Sequence, residues 1–211
     1  MNNPDQEKVW DSISEPWKNF RVKPVDEVLN FLKNKEGNIL DLGCGAGRNF
    51  MKVNGIIYGV DFSEKMLKFA KEYSNKERFN VKLIKARTNN LPFNDNFFDA
   101  AIFVAVLHCI PPRENREKSL KELFRVLKSG SEALITVWDR NQQKFFGSKK
   151  EAMISWKYNG KEYLRYYYLY DKGELTKLLK KVGFEIVKIN DSENPNGLYS
   201  KKNIDVIVKK P

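Results

Sequence analysis

The sequence has few of the residues from which metal centres and disulfide frameworks are built. Its 211 residues include one histidine and two cysteines, Cys44 and Cys109, which lie in separate segments without metal-ligand spacing. We therefore expect no metal site, and a chain that works in a reducing, cytoplasmic compartment.

Long apolar runs are also missing. No run approaches the ~20 residues that a membrane-spanning helix needs. Residues 1–8 are polar and contain no apolar signal-peptide core, and no internal repeat or low-complexity tract is visible. We expect a single α/β domain over residues 1–211 that does not associate with membranes.

Acidic residues are scarce in the last third of the chain. Residues 140–211 contain 16 Lys/Arg and 8 Asp/Glu, whereas the whole chain contains 38 and 27, for a net charge of +11. A nearly balanced first part with a basic last third indicates a surface for a polyanion. A lysine-rich surface that serves only solubility explains the same numbers.

Glycine is concentrated where the chain has its clearest motif. Residues 38–42 form a short apolar run that leads into Gly43, Gly45 and Gly47, a pattern of D-x-G-x-G-x-G that begins at Asp41. This predicts a buried strand, a tight turn and close approach of the backbone to a ligand. Arg48 occupies the third glycine position of the dinucleotide fingerprint. An ordinary strand-to-helix turn remains the alternative.

Apolar runs and helical periodicities alternate along the chain. Strands are predicted at residues 38–42, 55–60, 81–84, 97–107, 133–138, 184–189 and 204–208. Helices are predicted at residues 9–20, 24–33, 49–53, from Ser63 onward, 113–127 and 171–181. The alternation predicts a doubly wound, mostly parallel seven-stranded sheet, Rossmann-like, with N-terminal helices. The last two strands are joined only by a polar loop, so the last strand is expected to pair antiparallel.

Two segments fall outside that alternation. Residues 1–35 are expected to form a helical lid. Residues 139–170 show no clear period and mix basic with aromatic side chains, so we expect an inserted lid segment. Such a mixture suits phosphates and unstacked bases of RNA. Packing of a lid on its own domain is the alternative.

In a sheet of this kind, ligands bind at the carboxyl ends of the strands near the switch point of the strand order. The glycine turn, Asp61 and the loop at residues 86–93 all follow strands. Asp61 is suited to accept hydrogen bonds from two ribose hydroxyls. Capping of the next helix is its alternative role.

The motifs together resemble the class I S-adenosylmethionine (SAM) methyltransferases. The resemblance rests on the glycine motif, Leu91-Pro92-Phe93, Phe98-Asp99 and residues 125–130. More narrowly, the chain is similar to the tRNA wobble-uridine carboxymethyl methyltransferases, which methylate the carboxylate of 5-carboxymethyluridine. That similarity adds Trp10-Asp11, Arg21, residues 104–108, residues 133–138 and residues 165–170, and runs in order along nearly the whole chain.

The resemblance implies SAM as cofactor, the anticodon loop of tRNA as substrate, and a small zinc-binding activator protein as partner. No DNA partner is expected. The residues assigned to the cofactor are Asp41, Gly43, Gly45, Gly47, Asp61, Phe62, Met66, Thr88, Asn89 and Val104.

Arg21 and Arg165 are the candidates to hold the substrate carboxylate, because a guanidinium binds carboxylates through two donors. Arg21 is equally suited to the carboxylate of SAM, and a surface arginine ending a helix is the plain alternative. His108, after the fourth strand, is expected to line the substrate pocket or else to be a near-core residue. These three form the predicted catalytic set.

Three positions depart from the family pattern. Arg87 stands where many relatives have an acid that contacts the adenine amine, so Thr88 or Asn89, or the backbone, must replace it. Cys109 and Tyr168 stand where histidines are expected. Two other functions remain open: a small-molecule methyltransferase, and a non-catalytic SAM- or RNA-binding subunit.

Overall fold

The computed structural model describes residues 4–20, 23–145, 147–190 and 203–211. The strands are β1 (Glu36–Leu42), β2 (Asn54–Asp61), β3 (Val81–Lys85), β4 (Phe98–Val104), β5 (Leu127–Trp138), β6 (Glu151–Tyr158), β7 (Lys161–Tyr168), β8 (Glu185–Asn190) and β9 (Asn203–Lys209). The helices are α1 (Gln6–Ser12), α2 (Ser14–Phe20), α3 (Asp26–Leu32), α4 (Glu64–Glu77), α5 (Arg113–Val126) and α6 (Lys172–Val182). Short 3₁₀ turns span Leu107–Cys109 and Gln143–Phe145.

Seven strands form one sheet in the order β3-β2-β1-β4-β5-β9-β8. The pairs among β1 to β5 are parallel, and β9 is antiparallel to both β5 and β8. The predicted fold class is confirmed, including the antiparallel last strand. The strand order reverses between β1 and β4, so the carboxyl ends of these strands mark the expected ligand crevice. The predicted polar loop before β9 lies, except for Asn203, outside the described residues.

The sheet is covered on both faces, as its continuous apolar strands require. On one face Leu40, Phe103 and Val206 pack in a cluster with Leu120 of α5 and Leu179 of α6. On the other face Ile39, Ile102 and Ile57 pack with Val28 of α3 and Ala70 of α4. Neighbouring residues of one strand therefore serve opposite cores, because side chains alternate across a sheet.

The N-terminal region differs from the single helix predicted over residues 9–20. The chain forms two helices instead, and Ile13 caps the first. Pro16 has no amide proton to donate to the carbonyl of Ser12, so one continuous helix cannot keep its hydrogen bonds here. Pro16 was the signal for this break.

Two further boundaries were predicted wrongly. Residues 49–53 form no helix: Phe50 donates its amide to Gly47 at 2.9 Å, and the chain enters β2 at Asn54. The fourth strand stops at Val104 because Ala105 adopts a left-handed φ of 58° and donates its amide to the Thr136 hydroxyl at 3.0 Å. The apolar sequence nevertheless extends beyond the end of the strand to Leu107, because the side chain of Leu107 is also buried.

Residues 139–170 contain regular structure that the sequence analysis did not predict. β6 and β7 form a separate two-stranded antiparallel sheet, paired from Glu151–Tyr168 to Tyr158–Lys161. Asn159 and Gly160 make the turn with positive φ angles of 48° and 71°. Asn-Gly between strands is a strong hairpin signal, because both central residues of the turn need positive φ.

None of the helices in the described ranges combines the length and the apolarity needed to cross a membrane.

Arg125 ties α5 to the loop that follows β3. Its guanidinium donates to the carbonyls of Phe93 at 2.7 Å and Leu91 at 3.1 Å, and pairs with Asp95 and Glu122, both at 2.7 Å. Glu122 in turn accepts from the Leu91 amide at 2.8 Å. Two motifs that are far apart in the sequence are thus joined by one side chain.

We expect Arg125→Lys to lower the free energy of unfolding by about 2 kcal/mol, because an ammonium cannot replace all of these bonds. Arg113→Lys is the matched control: its guanidinium makes a single ion pair with Glu117 at 3.1 Å and its side chain is 73% exposed, so a loss below ~0.5 kcal/mol is expected. Urea unfolding at neutral pH measures both. Equal losses would contradict the assigned role of Arg125.

Candidate functional site

A cavity of about 560 Å³ opens where the strand order reverses, at the carboxyl ends of β1, β2 and β4. The structure brings eight of the ten predicted cofactor residues to its wall: Gly43, Gly45, Asp61, Phe62, Met66, Thr88, Asn89 and Val104. Asp41 and Gly47 are not among the lining residues. The predicted residues therefore converge on one place although they come from four separate segments.

The glycine turn is fastened to the end of the neighbouring strand. The amides of Gly43 and Cys44 both donate to the carbonyl of Val60, at 2.7 and 3.0 Å. Gly43 has a φ of 78°, and a Cβ at this position would lie 2.4 Å from Val106 Cγ2. Gly45 has a φ of 53° but its missing Cβ would face open space within the cavity wall. Packing against Val106 thus requires a glycine at position 43, whereas Gly45 leaves its backbone open toward the cavity.

Asp61, the last residue of β2, links the glycine turn to α4. Its two carboxylate oxygens accept the amides of Gly45 and Ser63, both at 2.9 Å. Burial raises the pKa of Asp61 to about 6, against the effect of the amides of Ser63 and Gly45, which lower it. The amide of Phe62 lowers the pKa as well. A carboxylate has about four acceptor positions, so Asp61 keeps acceptor capacity beside these three amides.

Two buried acceptors beside the glycine turn have no hydrogen-bond partner among the described residues: Asp41 Oδ2 and Asn49 Oδ1. Asp41 is 1% exposed, and burial raises its pKa to about 7, with Arg48 acting to lower it. A buried unpaired acceptor is costly, so such atoms are suited to a ligand that brings donors. Asn49 and Arg48 also line the cavity.

The N-terminal helices lie across the cavity mouth. Arg87 forms an ion pair with Glu7 of α1, and Ser63 donates its hydroxyl to Asp11. Glu7, Trp10, Trp17 and Lys18 all line the cavity. A carboxylate therefore stands at the cavity wall beside Arg87, on Glu7.

Thr88 and Asn89 are held by α5. The Thr88 hydroxyl shares a hydrogen bond of 2.7 Å with Ser119, and the Asn89 amide nitrogen donates to Asn115 at 2.9 Å. Asn89 and Asn115 both line the cavity.

Of the predicted catalytic residues within the described ranges, neither His108 nor Arg165 lines the cavity. Arg21 lies outside the described residues. His108 is 1% exposed, and its Nδ1 accepts the amide of Trp138 at 3.2 Å while its ring stacks on Trp138 and Tyr167. This is the near-core placement rather than a cavity-lining one.

Arg165 lies one layer behind the cavity. It is 6% exposed, and its guanidinium sits 5.0 to 5.9 Å from the rings of Trp10, Trp17, Trp156 and Tyr167. It donates to the Tyr167 hydroxyl at 3.0 Å, and its buried Nε has no hydrogen-bond partner in the described part of the chain. No carboxylate of the described residues lies within ion-pair distance of it.

Sequence reasoning missed several lining residues. Trp10 and Trp17 were predicted on the apolar face of a helix, and Trp10 also belonged to the family resemblance, but neither was assigned to a ligand site because helical spacing carries no sign of a ligand. Asn49 directly follows the glycine turn, which was an available signal. For Asn115 the sequence contained no such signal, because tertiary packing alone brings the first turn of α5 to this cavity. No group of three or more His, Cys, Asp or Glu side chains that is suited to a metal occurs in the described ranges.

The two cavity glycines give a paired prediction. Gly45→Ala is expected to cost about 1 kcal/mol of unfolding free energy, for the left-handed φ alone. Gly43→Ala should cost about 2 kcal/mol more, because its Cβ also collides with Val106. Thermal and urea unfolding of both variants would test this, and equal losses would mean that the Val106 contact relaxes freely.

Comparison with known proteins agrees with this geometry. Residues 40–135 match the family described as Methyltransferase domain. A putative methyltransferase of Encephalitozoon cuniculi is 32% identical over 190 residues, which are 85% of this chain and 87% of that protein.

Two other relatives carry the name tRNA (carboxymethyluridine(34)-5-O)-methyltransferase. The Schizosaccharomyces pombe protein is 28% identical, with 86% of this chain and 89% of that protein covered. The Arabidopsis thaliana protein is 32% identical over 72% of this chain, but the match spans only 37% of its own length.

Solved structures share the fold. A SAM-dependent methyltransferase from Methanosarcina mazei matches with a TM-score of 0.70 at 20% identity, over 89% of this chain and 98% of that chain. A chain from the complex between the Haloferax volcanii Trm112 methyltransferase activator and a putative methyltransferase matches with a TM-score of 0.70 at 13% identity, over 100% of both chains.

These structural likenesses establish the fold, and the sequence relatives establish descent. Since one relative is 32% identical along most of both chains, this chain belongs to the methyltransferase family, as a SAM-dependent methyltransferase of class I.

Proposed function

We propose that the chain transfers a methyl group from SAM to the carboxylate of 5-carboxymethyluridine at the wobble position of tRNA, in the cytoplasm. The observation that carries this proposal is Arg165, a buried cation behind the cavity that has no carboxylate of its own within ion-pair distance among the described residues. The two relatives named for this reaction support it.

The cavity fits SAM by the chemistry of its walls. SAM supplies, when bound, an electrophilic methyl group on a sulfonium. Asp61 is suited to accept from the ribose hydroxyls, and the glycine turn lets the backbone approach the methionine part. The unpaired oxygen of Asn49, which lines the cavity, is an acceptor of the kind that the ammonium group of SAM requires. Glu7 is in place to accept from the adenine amine in the absence of an acid at position 87.

The reaction asks for positioning more than for a base. A carboxylate is already ionised and nucleophilic at neutral pH, so catalysis rests on alignment and on exclusion of water. The burial of His108 agrees with this, because its Nδ1 is occupied by the Trp138 amide. We assign His108 to positioning Trp138 and Tyr167. Arg165, and Arg21 outside the described residues, are the proposed partners of the substrate carboxylate.

Residues 1–35 and 139–170 are proposed to act together as the lid. Trp156 of the β6–β7 hairpin contacts both Trp17 and Phe20 of α2, with ring centroids 5.5 and 5.4 Å apart. Gln6 of α1 accepts the Tyr166 amide of β7 at 2.9 Å. The hairpin therefore packs on the N-terminal helices through Trp156 and the Gln6 contact, and we propose that the two segments form one wall that keeps water from the reacting atoms.

The net charge of the chain supports RNA as a partner, and the similarity to a solved methyltransferase complex supports a protein partner. The net charge of +11 favours association with RNA. The Haloferax volcanii match comes from a complex with a methyltransferase activator. We propose that a small, zinc-binding activator of that kind assists this chain as well.

The first test is transfer of labelled methyl from SAM to tRNA that carries 5-carboxymethyluridine, with and without the activator. Label released as methanol by mild alkali is the expected result, because an ester forms. Alkali-stable label would point to a ring or ribose methyltransferase, and transfer to small metabolites alone would overturn the tRNA assignment.

Arg165 is tested by neutralisation. Arg165→Met should raise the KM for tRNA on the order of 10- to 100-fold, because a charge-assisted contact to the carboxylate is lost. Arg165→Lys should recover part of that loss, while the SAM dissociation constant stays unchanged in both variants. A loss of SAM affinity that parallels the loss of activity would show that Arg165 supports the fold of the cavity instead.

Asp61 gives a pH-dependent prediction. Its pKa is raised to about 6, and hydrogen bonds from ribose favour the ionised form, so SAM affinity should fall about tenfold per unit as the pH drops below 6. Calorimetric titration between pH 8 and pH 5 measures this. Asp61→Asn should bind SAM more weakly at pH 7.5 and lose that part of the pH dependence; an unchanged profile would contradict the assignment.

A further inference from the structure

A second cavity, of about 440 Å³, lies behind the first turn of α5. Its walls carry five basic side chains, Arg113, Arg116, Lys150, Lys177 and Lys181. Among the described residues, only two acidic side chains line it, Asp171 and Glu174. Nothing in the proposed cofactor and carboxylate site uses these residues.

Part of this charge is balanced within the protein. Lys150 pairs with Glu174 at 2.7 Å and Asp171 at 3.6 Å. Arg113 and Lys181 share Glu117, at 3.1 and 3.0 Å. The acidic residues near this cavity are therefore already occupied by three of its five cations.

Arg116 and Lys177 are the two cations left over. Neither has a carboxylate within 4 Å in the described part of the chain. Arg116 is 2% exposed; it donates to the carbonyl of Ile110 at 3.0 Å and to the Tyr166 hydroxyl at 2.8 Å, and its guanidinium lies 4.0 Å from the centre of the Tyr168 ring. A buried guanidinium without a carboxylate is costly, so an arriving anion is favoured.

The geometry of α5 connects the two cavities. Pro112 and Asn115 line the cofactor cavity, whereas Arg113 and Arg116, on the other side of the same turn, line the second one. Ile110, whose carbonyl accepts from Arg116, also lines the first cavity. A chain molecule that has its reacting end in the first cavity therefore reaches the second by crossing one helical turn.

We propose that the second cavity binds a phosphate group of the RNA backbone beside the methylated nucleotide, an inference that rests on the proposed tRNA substrate. A guanidinium fork with a neighbouring ammonium is the arrangement that binds phosphate oxygens. Lys177 is exposed at the rim and supplies the charge that the entering phosphate meets first, and Arg116 is the fixed donor at the base.

The test uses the full chain with Lys177→Glu, a change at an exposed helix position. Lys71→Glu on α4 is the matched control, since Lys71 is also exposed and lies outside both cavities. Binding of a tRNA anticodon stem-loop is followed by fluorescence anisotropy over a range of salt concentrations. Binding of inorganic phosphate at constant ionic strength, binding of SAM, and methyl transfer are measured on the same proteins.

The expected result is that Lys177→Glu weakens stem-loop binding on the order of tenfold and lowers the salt slope by about 0.7, the value for one phosphate of a single strand. Phosphate binding should weaken in parallel, SAM affinity should not change, and Lys71→Glu should resemble the unchanged protein in every measurement.

Other outcomes overturn the proposal in distinct ways. Equal RNA binding and equal salt slopes for the two variants would show that no backbone phosphate is bound here. Weaker phosphate binding with unaltered RNA binding would assign the cavity to a free phosphate compound. If the unchanged protein neither binds nor methylates tRNA, the proposed function fails with the RNA assignment, and the phosphate titration alone then decides whether an anion site exists.

Discussion

The carboxylate of Asp61 is the interaction on which the cofactor cavity depends. One oxygen holds the amide of Gly45 in the turn after β1, and the other holds the amide of Ser63 at the start of α4. Two loops from neighbouring strands are thereby fixed around one acid. The arrangement keeps the carboxylate of Asp61 at the wall of the cavity. Burial opposes ionisation of this carboxylate and therefore raises its pKa.

The fold could be predicted from the sequence because most of its signals are local. The apolar runs ending at Leu42 and Asp61, the cap at Ser63 and the glycine after α6 each define one boundary, and the alternation of strands and helices then leaves few topologies. Two of the errors came from single residues whose signals were passed over. Pro16 divides the first helix, and Asn159-Gly160 turns the hairpin.

The candidate site was predictable only where it follows strands directly. Gly43, Asp61 and Thr88 reach the cavity because parallel strands deliver their carboxyl ends to one edge. Asn115 and Glu7 reach it through the packing of helices against that edge, whereas the β6–β7 hairpin holds Arg165 behind its wall. The positions of these three residues depend on tertiary packing, so they could not be predicted from residue spacing in the sequence.

Ser63 belongs to two structures at once. Its hydroxyl accepts the Met66 amide at 3.1 Å, which caps α4, and donates its proton to Asp11 of α1. Since the cap uses a lone pair and the contact with α1 uses the proton, either bond survives without the other. Departure of the N-terminal helices thus leaves α4 and the Asp61 anchor intact. If residues 1–35 act as the proposed lid, exchange of the demethylated cofactor for SAM requires only that these helices detach, while the glycine turn and α4 keep their structure.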